Sequence, residues 1–246
     1  MRYFMTFSYD GSKYSGYQKQ PKGRTIQTEL EKNLKKINSD KDVDVHASGR
    51  TDAGVHALNQ KAHFDLDSEI DTNKIKYSLN KLLPDDIYIK RIEKVSDDFH
   101  ARFNTKAKEY IYRINMGEYN PIEKDYIYQY NERLNVNEIE RALKYLEGTH
   151  NFKSFTKVDE EKEDYNRTIL QTNVIRSTKD INKITISILG TGFMRYMVRN
   201  IVGLLIEIGE GKRKSEDIYK VIDAQDRTKA GVTAPANGLY LKDVFY

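Results

Sequence analysis

The feature that most constrains this chain is the order in which two hydrophobic periodicities alternate. Residues 2–9 place Tyr3, Met5, Phe7 and Tyr9 on one side, the period-two pattern of a strand. Residues 25–38 carry Ile26, Leu30, Leu34 and Ile37 at helical spacing, with Thr25 positioned as an N-cap. Val43, Val45 and Ala47 predict a second strand, and Ala62, Phe64 and Leu66 a third. Ile75, Leu79 and Leu82 predict a second helix, closed by Pro84-Asp85-Asp86, and Ile87 and Ile89 open a strand towards Val95. The order is β-α-β-β-α-β. The second half reads the same way. A strand is predicted over 107–115, with Tyr110, Tyr112 and Ile114 on one face. A helix over 136–147 follows, with Asn135 and Glu138 as a capping-box variant and Gly148 past its end. Strands near 169–176 and 183–189, an apolar helix over 194–208 stopped by Gly209, an extra helix near 215–224 and a last strand over 239–245 complete it. The fold class is therefore α+β: two ferredoxin-like units with largely antiparallel sheets. They are expected at 1–104 and 105–246, joined near residues 99–106, with the active-site cleft between them.

Composition narrows the chemistry. The 246 residues contain no Cys, which removes disulfides, thiolate metal sites and a cysteine nucleophile. With 41 Lys and Arg against 37 Asp and Glu, a net charge of +4 neither identifies a nucleic-acid partner nor excludes one. No apolar run is long enough to span a membrane, and the start reads as a strand rather than a secretory leader. A cytoplasmic protein with no membrane partner is expected.

The most unusual local sequence is Ser48-Gly49-Arg50-Thr51-Asp52-Ala53-Gly54-Val55-His56-Ala57, between the predicted second and third strands. One reading makes Asp52 a nucleophile or base beside the cation of Arg50. The other makes it a turn former that bonds its own backbone, as Asp does in many Asp-Ala-Gly turns. A single carboxylate does not suit a hydrolytic glycosidase, which commonly needs two. Phosphoryl transfer needs a phosphate cradle, and neither the P-loop nor the dinucleotide-binding glycine pattern occurs. A lone Asp suits attack on a sugar carbon, or proton abstraction, followed by internal rearrangement without water or redox change. His56 and His63 lack the spacing of a metal site, and His56 reads as a loop-packing residue; no metal is expected. Lys35-Lys36 and Lys22-Gly23-Arg24 are candidates for phosphate contact or simply solvated faces.

Gly49 through Ala57 resembles the signature loop of the bacterial tRNA pseudouridine synthase A (TruA) family. Further segments agree in order: Tyr9-Asp10-Gly11-Ser12-Lys13-Tyr14-Ser15-Gly16-Tyr17-Gln18, then Phe99-His100-Ala101-Arg102-Phe103 followed by Lys108-Glu109-Tyr110-Ile111-Tyr112. Phe193-Met194-Arg195-Tyr196-Met197-Val198-Arg199-Asn200-Ile201-Val202-Gly203 and Pro235-Ala236-Asn237-Gly238-Leu239-Tyr240-Leu241 complete the set. The resemblance implies an enzyme that converts uridine to pseudouridine in the anticodon stem-loop of tRNA, at positions 38, 39 and 40. It also implies a homodimer and no cofactor. Asp52 would be the catalytic aspartate, attacking C1′ or taking the C2′ proton. Tyr110 would stack on the target base, and Arg199 would pair with the catalytic carboxylate and keep it ionised. Arg50 is a candidate for displacing the base or holding a phosphate. Tyr14, Tyr17 and Gln18 are candidate RNA contacts, as is Arg195, four residues before Arg199 and expected on the same helix face. The family usually has Trp where Tyr17 stands, and residues 157–167 depart from the Ser-Arg pattern of relatives. The rival readings are the same chemistry on an rRNA hairpin and a non-catalytic ferredoxin-like RNA-binding protein.

Overall fold

The structure is a computed structural model that describes residues 1–157 and 164–246; most of the divergent 157–167 segment lies outside the described residues. The chain divides into two compact units, Met1–Lys106 with Tyr240–Tyr246, and Ala107–Leu239.

In the first unit the element order is β1 (Arg2–Tyr9), α1 (Ile26–Ile37), β2 (His46–Ala47), β3 (His56–Asp65), α2 (Thr72–Leu82) and β4 (Ile87–Lys94). This is the expected β-α-β-β-α-β order. β1 lies between β3 and β4, antiparallel to both. The alternation in β1 buries Tyr3, Met5, Phe7 and Tyr9 as expected. Thr25 caps α1, its side chain accepting from the Thr28 N–H, and Ile26, Leu30 and Leu34 face the core. Asp71 caps α2 in the same way, accepting from the N–H groups of Asn73 and Lys74, and Ile75 and Leu79 are buried while Leu82 is exposed.

The expected second strand is only two residues long. Val43 and Val45 are buried as their apolar character requires. The Val45 N–H donates to Glu31 Oε1 on α1 at 3.2 Å, so this segment docks on the helix rather than in a ladder.

The second unit runs β5 (Ala107–Asn115), β6 (Tyr128–Gln129), α3 (Val136–Lys144), β7 (Gly148–Asn151), β8 (Asn166–Arg176), β9 (Lys183–Gly190), α4 (Met197–Gly209) and α5 (Asp217–Ala224). β5, β9, β8 and β7 form successive antiparallel pairs. The Asn135 side chain caps α3 by accepting from the Glu138 N–H. That helix ends at Lys144, and Gly148 begins the short strand β7 instead of closing the helix.

The last strand, β10 (Leu239–Phe245), has the expected extent. Tyr240–Tyr246 group with the first unit, where Tyr240 and Leu241 pair in parallel with His56 and Ala57 of β3. A second departure concerns α4. Its predicted start at residue 194 is overridden by Tyr196, whose φ of 63° is left-handed, so the helix begins at Met197. Arg195 therefore sits in the preceding turn, not one turn below Arg199 on a shared helix face.

Among the described residues no helix is long and apolar enough to cross a membrane.

Candidate active site

Asp52 occupies the loop between β2 and β3, and the loop is fixed from below and from the side. Below it, the fully buried Gln60 accepts from Ser48 Oγ at 2.8 Å and donates to the Gly49 carbonyl at 3.0 Å. A β-strand ordinarily has no use for a buried carboxamide at such a position; here it holds the entry to the loop. The Ser48 N–H donates to the Lys61 carbonyl at 2.8 Å. At the far end, the Val55 N–H closes a turn on the Asp52 carbonyl at 3.2 Å.

The side support comes from residues 9–18. The Tyr17 N–H donates to the Thr51 carbonyl at 3.1 Å, and the Gly54 N–H donates to the Tyr14 carbonyl at 3.3 Å. The two backbones approach so closely that only glycine fits at two points. A Cβ on Gly11 would stand 2.0 Å from the Val55 carbonyl oxygen. Gly16 has φ +99°, and a Cβ there would lie 2.9 Å from the Thr51 carbonyl oxygen. The Tyr9 and Thr51 hydroxyls share a buried hydrogen bond of 2.8 Å, and burial pushes the Tyr9 phenol up to about 12. A register shift in the β1–β3 ladder between Phe7 and Tyr9 sets Tyr9 beneath the loop. In this frame Thr51 is buried, Asp52 is half-buried and Arg50 is exposed. A carboxylate in such a position can reach a substrate while its backbone stays fixed, the arrangement a nucleophile or base requires.

The N-terminal motif splits into two groups. Gln18 is exposed, as an RNA contact must be. Tyr14 and Tyr17 are buried instead. The Tyr14 hydroxyl bonds Asp86, its ring lies under the Arg24 guanidinium at 4.3 Å, and Arg24 pairs with Asp86 at 3.0 Å. Burial, reinforced by the Asp86 carboxylate, raises the Tyr14 phenol far above its ordinary value. The Tyr17 hydroxyl is buried and finds no partner among the described residues.

In the second unit, Tyr110 lies on β5 opposite Ile188 of β9, with its ring edge-on to Phe193 at 5.0 Å. Arg199 is half-buried on α4. Its Nε donates to the Ala234 carbonyl at 2.7 Å, and the Ala234 N–H returns to the Arg199 carbonyl at 3.1 Å. Arg195 is exposed, stacking over the Tyr196 ring at 4.8 Å and donating to its hydroxyl at 3.0 Å. The buried Asn200 ties three segments of this region together. Its Nδ2 donates to the Phe155 carbonyl at 2.7 Å. Its Oδ1 accepts from Arg227 at 2.9 Å and from Thr233 Oγ1 at 2.7 Å.

Tyr9, Gln60, Asn200 and Arg227 were not singled out by sequence reasoning. Their sequence neighbours are mostly polar, so nothing local marked them: each is set by partners distant in the chain. The two histidines weighed as ligands have structural work. His56 Nδ1 accepts from the Gly11 N–H at 3.1 Å, and the ring stacks on Tyr240 at 4.6 Å. His63 Nδ1 accepts from the Ala101 N–H at 3.1 Å.

Residues 5–104 and 142–246 match the family model described as tRNA pseudouridine synthase. The chain is 40% identical over 247 residues to the tRNA pseudouridine synthase A of Streptococcus mutans, covering 100% of this chain and 99% of the relative. It is 42% identical over 246 residues to the enzyme of that name from Latilactobacillus sakei, at 100% and 98% coverage. The Anoxybacillus flavithermus relative is 42% identical over 241 residues, at 98% and 97%. A likeness of that depth, carried end to end across both compact units and through the loop that holds Asp52, establishes that the chain belongs to the tRNA pseudouridine synthase family.

Proposed function

We propose that this chain isomerises uridine to pseudouridine in the anticodon stem-loop of tRNA, at positions 38, 39 and 40, with Asp52 as the catalytic carboxylate. The reaction breaks the N1–C1′ bond, turns the uracil and forms a C5–C1′ bond. N1 gains a proton and C5 loses one, so the product is an isomer and no water or electron carrier is consumed. The supporting observation is the half-buried Asp52 on a backbone held by Gly11, Gly16 and the Tyr9–Thr51 pair. One fixed carboxylate is sufficient for either addition to C1′ or removal of the C2′ proton. For Tyr110 and Arg199 the proposed roles are those their motifs imply: an aromatic face for the target base, and a guanidinium that keeps a carboxylate ionised. Arg50, Gln18 and Arg195 are exposed and suit contact with the RNA. Tyr14 and Tyr17 serve the loop rather than the RNA. A homodimer in the cytoplasm completes the proposal.

The experiment is pseudouridine mapping on unmodified tRNA and rRNA transcripts incubated with the purified chain and with Asp52→Asn. The wild type should modify the anticodon stem-loop and the variant should bind tRNA without modifying it. Substantial pseudouridine from the variant removes Asp52 from the chemistry, and modification confined to rRNA overturns the substrate. Light scattering over a concentration series tests the dimer.

A further inference from the structure

The first unit carries a groove on α2 and β4, remote in sequence from the Asp52 loop, with a volume of about 510 Å³. Its walls are Asn73, Lys76, Tyr77, Asn80, Lys81 and Tyr88. Five of these fall at i, i+3, i+4, i+7 and i+8 along α2, the spacing of one helix stripe. The opposite stripe, Ile75 and Leu79, faces the core. A stripe directed at solvent has no structural need for aromatic rings. Yet Tyr77 is 67% exposed, and Tyr88, contributed by β4, is 53% exposed.

The charge of this stretch is mainly positive. From Thr72 to Lys94 the sequence holds six cations, Lys74, Lys76, Lys81, Lys90, Arg91 and Lys94, against three carboxylates, Asp85, Asp86 and Glu93. That excess of three compares with a net charge of +4 for the whole chain. Glu93 pairs with Arg91 and Lys94 with Glu69 outside this stretch, while Asp86 is engaged by Arg24. Among the described residues neither Lys76 nor Lys81 has a carboxylate partner, and the Lys81 ammonium lies 5.7 Å from the Tyr77 ring centroid. The floor is rigid: Asn80 Nδ2 donates to the Ile89 carbonyl at 2.9 Å, and the Ile89 N–H donates back to Asn80 Oδ1 at 2.7 Å. Those two bonds occupy the outward backbone groups of β4 at this point, so the groove does not offer them to an added strand. Exposed π-faces beside unneutralised cations match a base and its phosphate, the combination that holds single-stranded nucleic acid.

We propose that this groove binds an unpaired nucleotide of the RNA substrate outside the modified stem-loop, the base stacking on Tyr77 or Tyr88 and the adjoining phosphates meeting Lys76 and Lys81. The proposal rests on the tRNA-modifying reading above and extends its footprint.

The test uses the full chain and an unmodified full-length tRNA transcript carrying photoactivatable 4-thiouridine. Cross-links should map to the peptide spanning residues 72–94. Tyr77→Ala/Tyr88→Ala should lose that cross-link and weaken full-length tRNA binding by about 10-fold. Its turnover of the isolated anticodon stem-loop should be unchanged, and Tyr77→Phe/Tyr88→Phe should behave as wild type. Lys76→Gln/Lys81→Gln should lower the slope of log Kd against log salt by about 1.4, as loss of two phosphate contacts requires. Both aromatic side chains are exposed, so an unchanged melting temperature is expected, and the Lys variant provides a second readout. No cross-link in this peptide, equal losses on both RNAs, or a changed oligomeric state with unaltered RNA binding would each overturn the groove assignment. A persistent cross-link from a wild-type chain that makes no pseudouridine would instead overturn the catalytic reading and leave the groove standing.

Discussion

The Tyr9 and Thr51 hydroxyls lie 2.8 Å apart in a buried pocket, one residue before the proposed catalytic carboxylate. Thr51 also presents its backbone carbonyl to the Tyr17 N–H. The residue next to Asp52 is thus held through both its side chain and its main chain, from two points of one motif.

This pair predicts a positioning effect without direct contact. Tyr9→Phe keeps the ring and removes the hydroxyl that bonds Thr51 and faces Gln60. A buried hydroxyl left unsatisfied costs about 1–3 kcal/mol, so the variant should fold with a modestly lower melting temperature. The loop should gain freedom, lowering kcat by about 10-fold with KM nearly unchanged, as loss of an oriented group does. A kcat equal to wild type in a melted-curve-verified sample would show that the pair serves stability alone.

Gly16 and Gly211 form an internal comparison. Both have positive φ, +99° and +75°, so alanine pays a similar backbone penalty of about 1 kcal/mol at each. At Gly211 nothing lies within 4 Å of the added Cβ, whereas at Gly16 the Thr51 carbonyl oxygen is 2.9 Å away. Gly16→Ala should therefore lose the larger melting temperature and most of its activity, while Gly211→Ala should remain active. Parallel melting and turnover measurements decide it, and equal behaviour of the two variants would dismiss the clash.

The Asn200–Arg227–Thr233 cluster predicts a different outcome, stability loss in the second unit. Arg227 donates to Asn200 Oδ1 at 2.9 Å, Thr233 Oγ1 at 2.8 Å and the Gly231 carbonyl at 2.8 Å. Desolvation lowers its pKa, in keeping with a guanidinium that has no carboxylate counterion among the described residues. Arg227→Met retains the stem and deletes all three bonds. About 2–4 kcal/mol of stability should go, measured by denaturant midpoint. Arg227→Lys should rescue little, because an ammonium cannot address three acceptors with the geometry of a planar fork.

Which parts of this arrangement were legible in the sequence follows from the range of the interactions that set them. β1, α1, α2 and β4 announce themselves because alternation and 3.6-residue periodicity are local. The extent of β10 was equally plain, but its parallel pairing of Tyr240 with His56 bridges most of the chain and leaves no local mark. Val43 and Val45 read as a strand by burial alone; the Glu31 carboxylate that takes the Val45 N–H lies on a helix a dozen residues earlier. Tyr196 in a left-handed conformation moved the start of α4 and separated Arg195 from Arg199, an effect of tertiary context that propensity does not encode. At the site, Asp52 was conspicuous as a lone carboxylate between glycines. The burial of Tyr14 and Tyr17 was not legible, because a tyrosine reads alike whether its ring faces solvent or a neighbouring Arg24.

The last prediction concerns acid. His63 is buried, its Nδ1 accepting from the Ala101 N–H, with the rings of His46 and His100 at 4.8 Å and 4.6 Å. Burial first, then the neighbouring His46, His100 and Arg2 side chains, lower its pKa from 6.5 to about 4. The folded state therefore holds His63 neutral over a range in which the unfolded chain binds a proton. By linkage, stability is complete above pH 6.5 and falls as pH drops from 6.5 towards 4. His63→Asn retains an acceptor for the Ala101 N–H and cannot titrate. At neutral pH the variant should be less stable, since a smaller side chain leaves space beside His46 and His100. Between pH 6.5 and 4 its melting temperature should decline less steeply than that of the wild type. Identical slopes for the two proteins across that window would assign the acid sensitivity to carboxylates elsewhere and remove His63 from the account.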